Sequence, residues 1–436
     1  MNRESVLGSE VQALDQQTSR ARKLQALGIL SGFTAGAWLG AAEAPTKLVA
    51  VGISPVVISL IMVIGVFLAR WSLPALILGT SSIYADVRRA PHLIIWAVLA
   101  GCIWAVANTL TIFAIRDVGL SIAFPLWNSN SLLGILWGFV FFNELRQAGW
   151  RRWAGVLGGA LVMCVGAAIL AVASAGQGPA AHSMRGVWAA LGAGILWGTM
   201  YIPYRKAYLT GMNPLSFVTF FTFGELGMMG SLAVGYTGVG PLWHQLLSAR
   251  EVLFWLMLGG FIWVIGDMFQ QYAAKYVGIS RGIPLSNSNQ LWGLLWGVLV
   301  FGELHGRSAS VYAQVIGGSL LMMLGVGAIA FSSATGEEQN RWREAAQREC
   351  QRYGIAAEYV EAHMEGRQAS GERKPTRSGL DWLLVGVATS VFIILGAMAR
   401  VPQMSLHWDA MAILSVASVV LLLVCGVALW RTTRFQ

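Results

Sequence analysis

The chain has 436 residues, 56% of them hydrophobic and only 12% charged, with a formal net charge of +9. Soluble domains carry about 25% charge, and 17 of the 51 charged side chains here are crowded into residues 337–381. What remains cannot clothe a water-exposed surface, which excludes soluble enzymes, disulfide scaffolds and disordered chains and leaves an all-α polytopic membrane protein.

The first 19 residues are polar and mixed in charge. The apolar segment behind them is long and lacks a small-residue cleavage site, so it reads as a first span and not as a signal peptide. A hydrocarbon core of about 30 Å takes roughly 20 helical residues. On that ruler twelve spans follow, at 24–44, 48–69, 92–114, 120–142, 153–174, 187–204, 214–236, 252–274, 279–301, 311–332, 380–399 and 410–430. A short apolar run at 71–80 contains Pro74, is too brief to cross and is expected at the interface. Residues 337–378 are charged and helix-forming, with Gly354 as a break, and are expected as short cytoplasmic helices. The chain divides into a cytoplasmic tail at 1–23, five spans at 24–174, five more at 187–332, a charged cytoplasmic loop at 333–379 and a two-helix appendage at 380–436.

Basic residues orient the chain. With the N-terminus inside, 24 of the 30 Lys and Arg residues, Arg70 among them, fall on the cytoplasmic side. This explains the positive charge without a nucleic-acid partner and places both termini on the cytoplasmic face of a cytoplasmic (inner) membrane. Cys102, Cys164, Cys350 and Cys425 are scattered, with no CxxC pair. They read as free thiols holding neither metal nor disulfide.

A shift of 159 residues lays the sequence on itself. Over 118–145, 16 of 28 positions are identical: Pro125 falls on Pro284, Asn128-Ser129-Asn130 on Asn287-Ser288-Asn289, Gly134 and Gly138 on Gly293 and Gly297, and Glu144 on Glu303. Gly40 and Pro45 match Gly198 and Pro203 at a shift of 158. Five spans per copy is an odd number, so the copies enter the membrane from opposite sides, with Glu144 inside and Glu303 outside. Inverted repeats of this kind build a central site near the midplane that opens alternately to each face.

The stretch from Val118-Gly119 through Pro125-Leu126-Trp127-Asn128-Ser129-Asn130 to Trp137-Gly138 and Glu144 resembles the bacterial glucose/rhamnose porter family of the drug/metabolite transporter superfamily. Glucose uptake proteins, the rhamnose–proton symporter and the animal transmembrane protein 144 group are similar. Gly40, Pro45 and Lys47 fit the first span of such porters. The resemblance covers about residues 24–332. It implies a five-plus-five inverted-repeat helix bundle and sugar uptake, while the region from 337 onward departs from the pattern.

Polar residues at membrane depth are costly and mark functional sites by default. In span eight, Asp267 shares one helical face with Trp263, Gln270 and Gln271. Its repeat partner is Asn108, which shares a face with Trp104 and Thr111. Amide and carboxylate groups flanked by indole rings suit a sugar, whose hydroxyls bond to them while its C–H face packs on the ring. They also suit plain helix–helix bonding. Pro125 and Pro284 stand three residues before Asn128 and Asn287 and favour a kink there, which would let asparagines line a cavity. Asn130, Gly134 and Gly138, like Asn289, Gly293 and Gly297, also form a small-residue packing face. Asn128 and Asn287 are therefore expected toward the cavity, and Asn130 and Asn289 toward the neighbouring helix. Glu225, central in span seven, has Val66 as its repeat partner and is a second candidate for coupling beside Asp267. Glu43 is expected at the interface beside Lys47, and Glu144 and Glu303 as caps at span ends.

No GxxxxGK[ST] or HExxH motif occurs, and the aspartates never cluster, so no cofactor or metal is implied. The expected protein is a secondary transporter that takes up a monosaccharide or related polyol with protons, its partners being the small-molecule substrate, protons and the bilayer. The alternatives are an exporter or exchanger of another small metabolite and, from a different class, a polytopic membrane enzyme acting on a lipid-linked sugar. The enzyme would need one asymmetric polar cluster at a membrane face.

Overall fold

The computed structural model describes residues 3–49, 53–142, 149–175, 180–332, 336–364, 366–367, 376–400 and 405–435. Every regular element among them is a helix. The first half comprises α1 (Arg3–Ala42), α2 (Ala44–Val49), α3 (Pro55–Ile77), α4 (Thr80–Arg89), α5 (Leu93–Val118), α6 (Leu120–Trp127), α7 (Asn130–Phe142) and α8 (Trp150–Ala175). The second comprises α9 (Ala180–Leu209), α10 (Pro214–Thr237), α11 (Val239–Ser248), α12 (Leu253–Val277), α13 (Ile279–Ser286), α14 (Asn289–Leu295), which passes into a π-turn at Trp296–Val300, and α15 (Ala309–Ser332). Then come α16 (Gly336–Tyr353), α17 (Ala357–Met364), α18 (Gly379–Met398) and α19 (Trp408–Thr433). Among the described residues nine helical stretches are long and apolar enough to cross a bilayer, so the chain is a multi-pass membrane protein.

Two expected spans are not continuous. Residues 120–142 form α6 and α7, broken at Asn128-Ser129, and 279–301 form α13, α14 and the π-turn, broken at Asn287-Ser288. Pro125 and Pro284 carry no N–H and free the carbonyl one turn back. Broken helices survive at membrane depth only where protein or a cavity receives the loosened backbone.

The run after residue 69 is not interfacial. It is the last part of α3, which passes through Pro74 to Ile77. Proline at 74 deprives the Arg70 carbonyl of its helical donor, and Thr219 of α10 replaces it, its Oγ1 donating to that oxygen at 3.1 Å. The helix therefore continues without an orphaned acceptor.

Close crossings hold the bundle together. A Cβ at Gly101 of α5 would overlap the Phe221 carbonyl of α10, and one at Gly260 of α12 would overlap the Met62 carbonyl of α3. Gly224 meets Val98 and Gly65 meets Met257 in the same way. All these contacts recur at the 159-residue shift. Glycine lets the backbones touch where hydrophobic burial cannot drive helices together in lipid. In addition, α1 packs on α12 as α9 packs on α5, and α8 packs on α15.

The appendage docks on this bundle, α18 against α3 and α12, α19 against α1. Beyond α19 the Phe435 carbonyl accepts from Tyr272 Oη at 2.7 Å and Asn213 Nδ2 at 2.9 Å. Tyr359 of α17 donates to Asp86 of α4 at 2.8 Å. Gly354, with φ of +66°, separates α16 from α17 as the sequence suggests.

Candidate functional site

A cavity lies where the α6–α7 and α13–α14 breaks face α1, α9 and α12. Asn128, Asn130, Asn287, Asn289, Trp263 and Gln270 line it, as do Leu39, Glu43, Phe124, Trp127, Trp197, Met200 and Tyr201. The four asparagines cross-link the two breaks. Asn128 Nδ2 donates to Asn289 Oδ1 at 2.6 Å, and Asn287 Nδ2 donates to Asn130 Oδ1 at 2.8 Å and to Ser131 Oγ at 2.6 Å. The first two bonds are the same bond at the 159-residue shift. The expected division, one asparagine of each pair to the cavity and one to the neighbour, does not hold: all four do both.

Beside the cavity lies a cluster of buried charge. Arg70 of α3, Glu225 of α10 and Asp267 of α12 are 0%, 0% and 1% exposed. Arg70 Nη2 donates to Asp267 Oδ2 at 2.7 Å, and Nη1 lies 3.1 Å from Glu225 Oε1. The guanidinium also faces the Phe221 and Trp263 rings at 4.3 and 5.2 Å, a cation–π arrangement that helps replace lost hydration. Asp267 Oδ1 accepts from Gln271 Nε2 at 2.7 Å, and Gln271 in turn accepts from Tyr208. Gln270 turns away, donating to Ser286 Oγ of α13 at 2.6 Å. Glu225 accepts no hydrogen bond at either oxygen. One guanidinium against two carboxyls leaves one negative charge over.

Arg70 corrects the topology count, which placed it in a cytoplasmic loop. An arginine at the end of an apolar run reads as a snorkelling side chain. The signal that could have found it is that the apolar run resumes directly after it, at Trp71–Ile77.

Asn108 is not brought to the cavity. Its Nδ2 donates to Ser59 Oγ of α3 at 2.7 Å, and Thr111 donates to its carbonyl. Trp104 is fully buried behind Trp263, edge to face at 4.7 Å. At the 159-residue shift Arg70, Glu225 and Asp267 correspond to Met229, Val66 and Asn108. The Arg70–Asp267 pair of α3 and α12 thus has the neutral Met229 and Asn108 as its counterparts on α10 and α5.

Two other expectations meet the structure at the edge of the cavity. Glu303 pairs with Lys47 and accepts from the N–H groups of Leu120 and Ser121, both at 2.9 Å, capping the start of α6; its repeat partner Glu144 lies outside the described residues. Glu43 is not interfacial: it is 2% exposed and on the cavity wall, because Lys47 turns to Glu303 instead. Gly293 and Gly297 bring α14 and the π-turn against Phe124 and Ser121 of α6, as the small-residue pattern implies. Gly134 and Gly138 are buried, and Gly134 has room for a Cβ. Among the described residues no group of His, Cys, Asp and Glu could hold a metal ion.

Fold and site together define a multi-pass helical membrane protein with a buried polar cavity between two broken helices. Residues 189–356 match the family described as sugar transport protein. A "Putative sugar uptake protein" of Streptococcus pyogenes serotype M1 is 35% identical over 153 residues, 34% of this chain and 47% of that protein. One of Lactobacillus johnsonii is 36% identical over 85 residues, 19% of this chain and 29% of its own length. One of Listeria innocua is 22% identical over 231 residues, covering 52% of this chain and 75% of its own length. The chain spans about half the length of the Streptococcus relative it matches. The chain is thus similar, over part of its length, to proteins named for sugar uptake.

Proposed function

We propose that the protein is a secondary transporter, not an enzyme, that moves a monosaccharide or related polyol inward across the cytoplasmic membrane by alternating access. The observation that carries this reading is the cavity itself, walled by repeat-related asparagines on two broken helices. Carboxamides and indole rings in a confined site are what a hydroxyl-rich, weakly apolar ligand needs, and the relatives bear names of sugar uptake. The five-plus-five inverted arrangement is supported by the glycine crossings and asparagine bonds that repeat at the 159-residue shift. Two equivalent halves can exchange conformations and thereby exchange which face is open. Both termini are proposed on the cytoplasmic side, from the basic-residue count.

Coupling to protons is assigned to the Arg70–Glu225–Asp267 cluster. A surplus buried negative charge is expensive, and a proton neutralises it. Asp267 takes hydrogen bonds from Arg70 and Gln271, whereas Glu225 takes none. Glu225 is therefore the place for the transported proton and Asp267 the residue that keeps Arg70 in position. Trp263, Gln270 and the four asparagines contact substrate; Trp104, Asn108 and Gln271 support them from behind.

A thermal-shift screen of the purified protein against sugars, polyols and nucleosides tests the substrate class. Stabilisation by one or a few monosaccharides is expected. Stabilisation by nucleosides alone, or by lipid-linked sugars alone, contradicts the reading.

A further inference from the structure

Three polar side-chain atoms that close on this cavity have no hydrogen-bond partner among the described residues. Glu43 Oε2 accepts no hydrogen bond although its residue is 2% exposed. The indole N–H groups of Trp127 and Trp197 donate none, at 1% and 8% exposure. All three residues line the same wall of space. The two indoles meet edge to face at 5.7 Å, so each ring is fixed by the other. Buried polar groups in folded proteins are almost always satisfied, and an exception calls for a ligand. Unlike the asparagines, which satisfy one another, these three atoms are free for something that enters.

Their chemistry defines what enters. A carboxyl accepts at its oxygens and, when protonated, also donates its O–H; an indole N–H only donates. The complement is a ligand with hydroxyls to give and hydroxyl or ring oxygens to take, held at one edge. Among the described residues no cation pairs with Glu43, and Lys47, one turn on, pairs with Glu303. Tyr201 is the 158-residue counterpart of Glu43 and also lines the cavity, so the repeat places a neutral phenol where the first half places a carboxyl. One end of the cavity is therefore marked off from the other, which gives an asymmetric ligand one orientation.

Resting on the sugar-transport reading, we infer that Glu43 is a specificity-determining residue that accepts hydrogen bonds from adjacent hydroxyls of a neutral sugar, with Trp127 and Trp197 donating to that sugar's oxygens. Leaving a buried polar group without its hydrogen-bond partner costs its full desolvation penalty. Discrimination at this edge follows from that penalty, because an analogue lacking the hydroxyl leaves the carboxyl unmet.

The test compares binding of a parent sugar and its monodeoxy analogues to the wild type, Glu43→Gln, Glu43→Asp and Trp197→Phe by calorimetry in detergent. Wild type is expected to lose about 10–100-fold in affinity when one particular hydroxyl is removed. Glu43→Gln is expected to bind the parent sugar 10–100-fold more weakly and to treat parent and that analogue alike. Glu43→Asp should recover part of the discrimination, and Trp197→Phe, which keeps the ring, should weaken binding while shifting which oxygen matters. A folded Glu43→Gln protein with unchanged affinity and an unchanged analogue profile overturns the assignment; should that variant not fold, an unchanged profile in Glu43→Asp and Trp197→Phe does the same. Much tighter binding of an amino sugar than of any neutral one overturns it too, since the carboxylate would then be pairing with a cation. If the wild type binds no sugar at all, it is the transport reading that fails, whatever the variants do.

Discussion

Arg70 is the residue on which the buried chemistry turns. It is completely enclosed, and its guanidinium answers two carboxyls on two other helices. Removing one partner of such a set leaves charge uncompensated and costs about 3–5 kcal/mol, while replacing the whole set with neutral groups can cost little. The repeat-related positions carry a neutral set: Met229, Val66 and Asn108 stand at the 159-residue shift from Arg70, Glu225 and Asp267. Arg70→Met alone should therefore lower the thermal midpoint sharply, and the triple variant Arg70→Met/Glu225→Val/Asp267→Asn should regain most of the loss. A triple variant no more stable than the single would show that the cluster is not held by charge balance. Glu225→Gln keeps shape and cannot carry a proton. In reconstituted vesicles it should retain sugar exchange and lose accumulation along a proton gradient, and undiminished accumulation would remove Glu225 from the coupling step. Asp267 and Glu225 were legible in the sequence as carboxyls within apolar spans. Arg70 was not, because a basic residue near a span end carries the same signature whether it snorkels to water or turns inward.

Among the elements, the two broken helices matter most. Each half of α6–α7 and α13–α14 is too short to cross a membrane, and each depends on the other break for its hydrogen bonds. The Asn128–Asn289 bond is buried, so Asn128→Ala strands an acceptor and Asn289→Ala strands a donor, at roughly 1–3 kcal/mol each. Their combined loss should fall clearly short of the sum, because the double variant leaves nothing stranded. Strict additivity in thermal unfolding would mean that the asparagines act independently. The prolines ahead of each Asn-Ser-Asn announced a kink, but a twenty-residue ruler reads composition and not hydrogen bonding, so each segment looked like one span. The same ruler stopped α3 at Arg70, although proline need not end a helix when a neighbour such as Thr219 serves the freed carbonyl.

At the scale of the whole molecule, the cavity draws its lining from no described residue beyond Asn289. The appendage nevertheless braces the bundle, through α18 and α19 and through the Phe435 carbonyl held by Tyr272 and Asn213. A chain ending near residue 334 should thus keep its ligand affinity within a few-fold while melting at a lower temperature. A folded truncation that binds nothing would show that the appendage shapes the site. The internal repeat was readable because identical residues recur at one spacing. The docking of α18 and α19 was not, because lipid-facing and protein-facing apolar surfaces have the same composition. Glu43 escaped for a related reason: whether a carboxyl near a span end meets water or a cavity depends on where its neighbours' side chains go. The most direct test of the central claim is sugar uptake by proteoliposomes holding the purified protein under an imposed inward proton gradient. Saturable accumulation above the external concentration is expected, abolished by a protonophore while exchange of labelled for unlabelled sugar continues. Vesicles that neither accumulate nor exchange any sugar would contradict that claim.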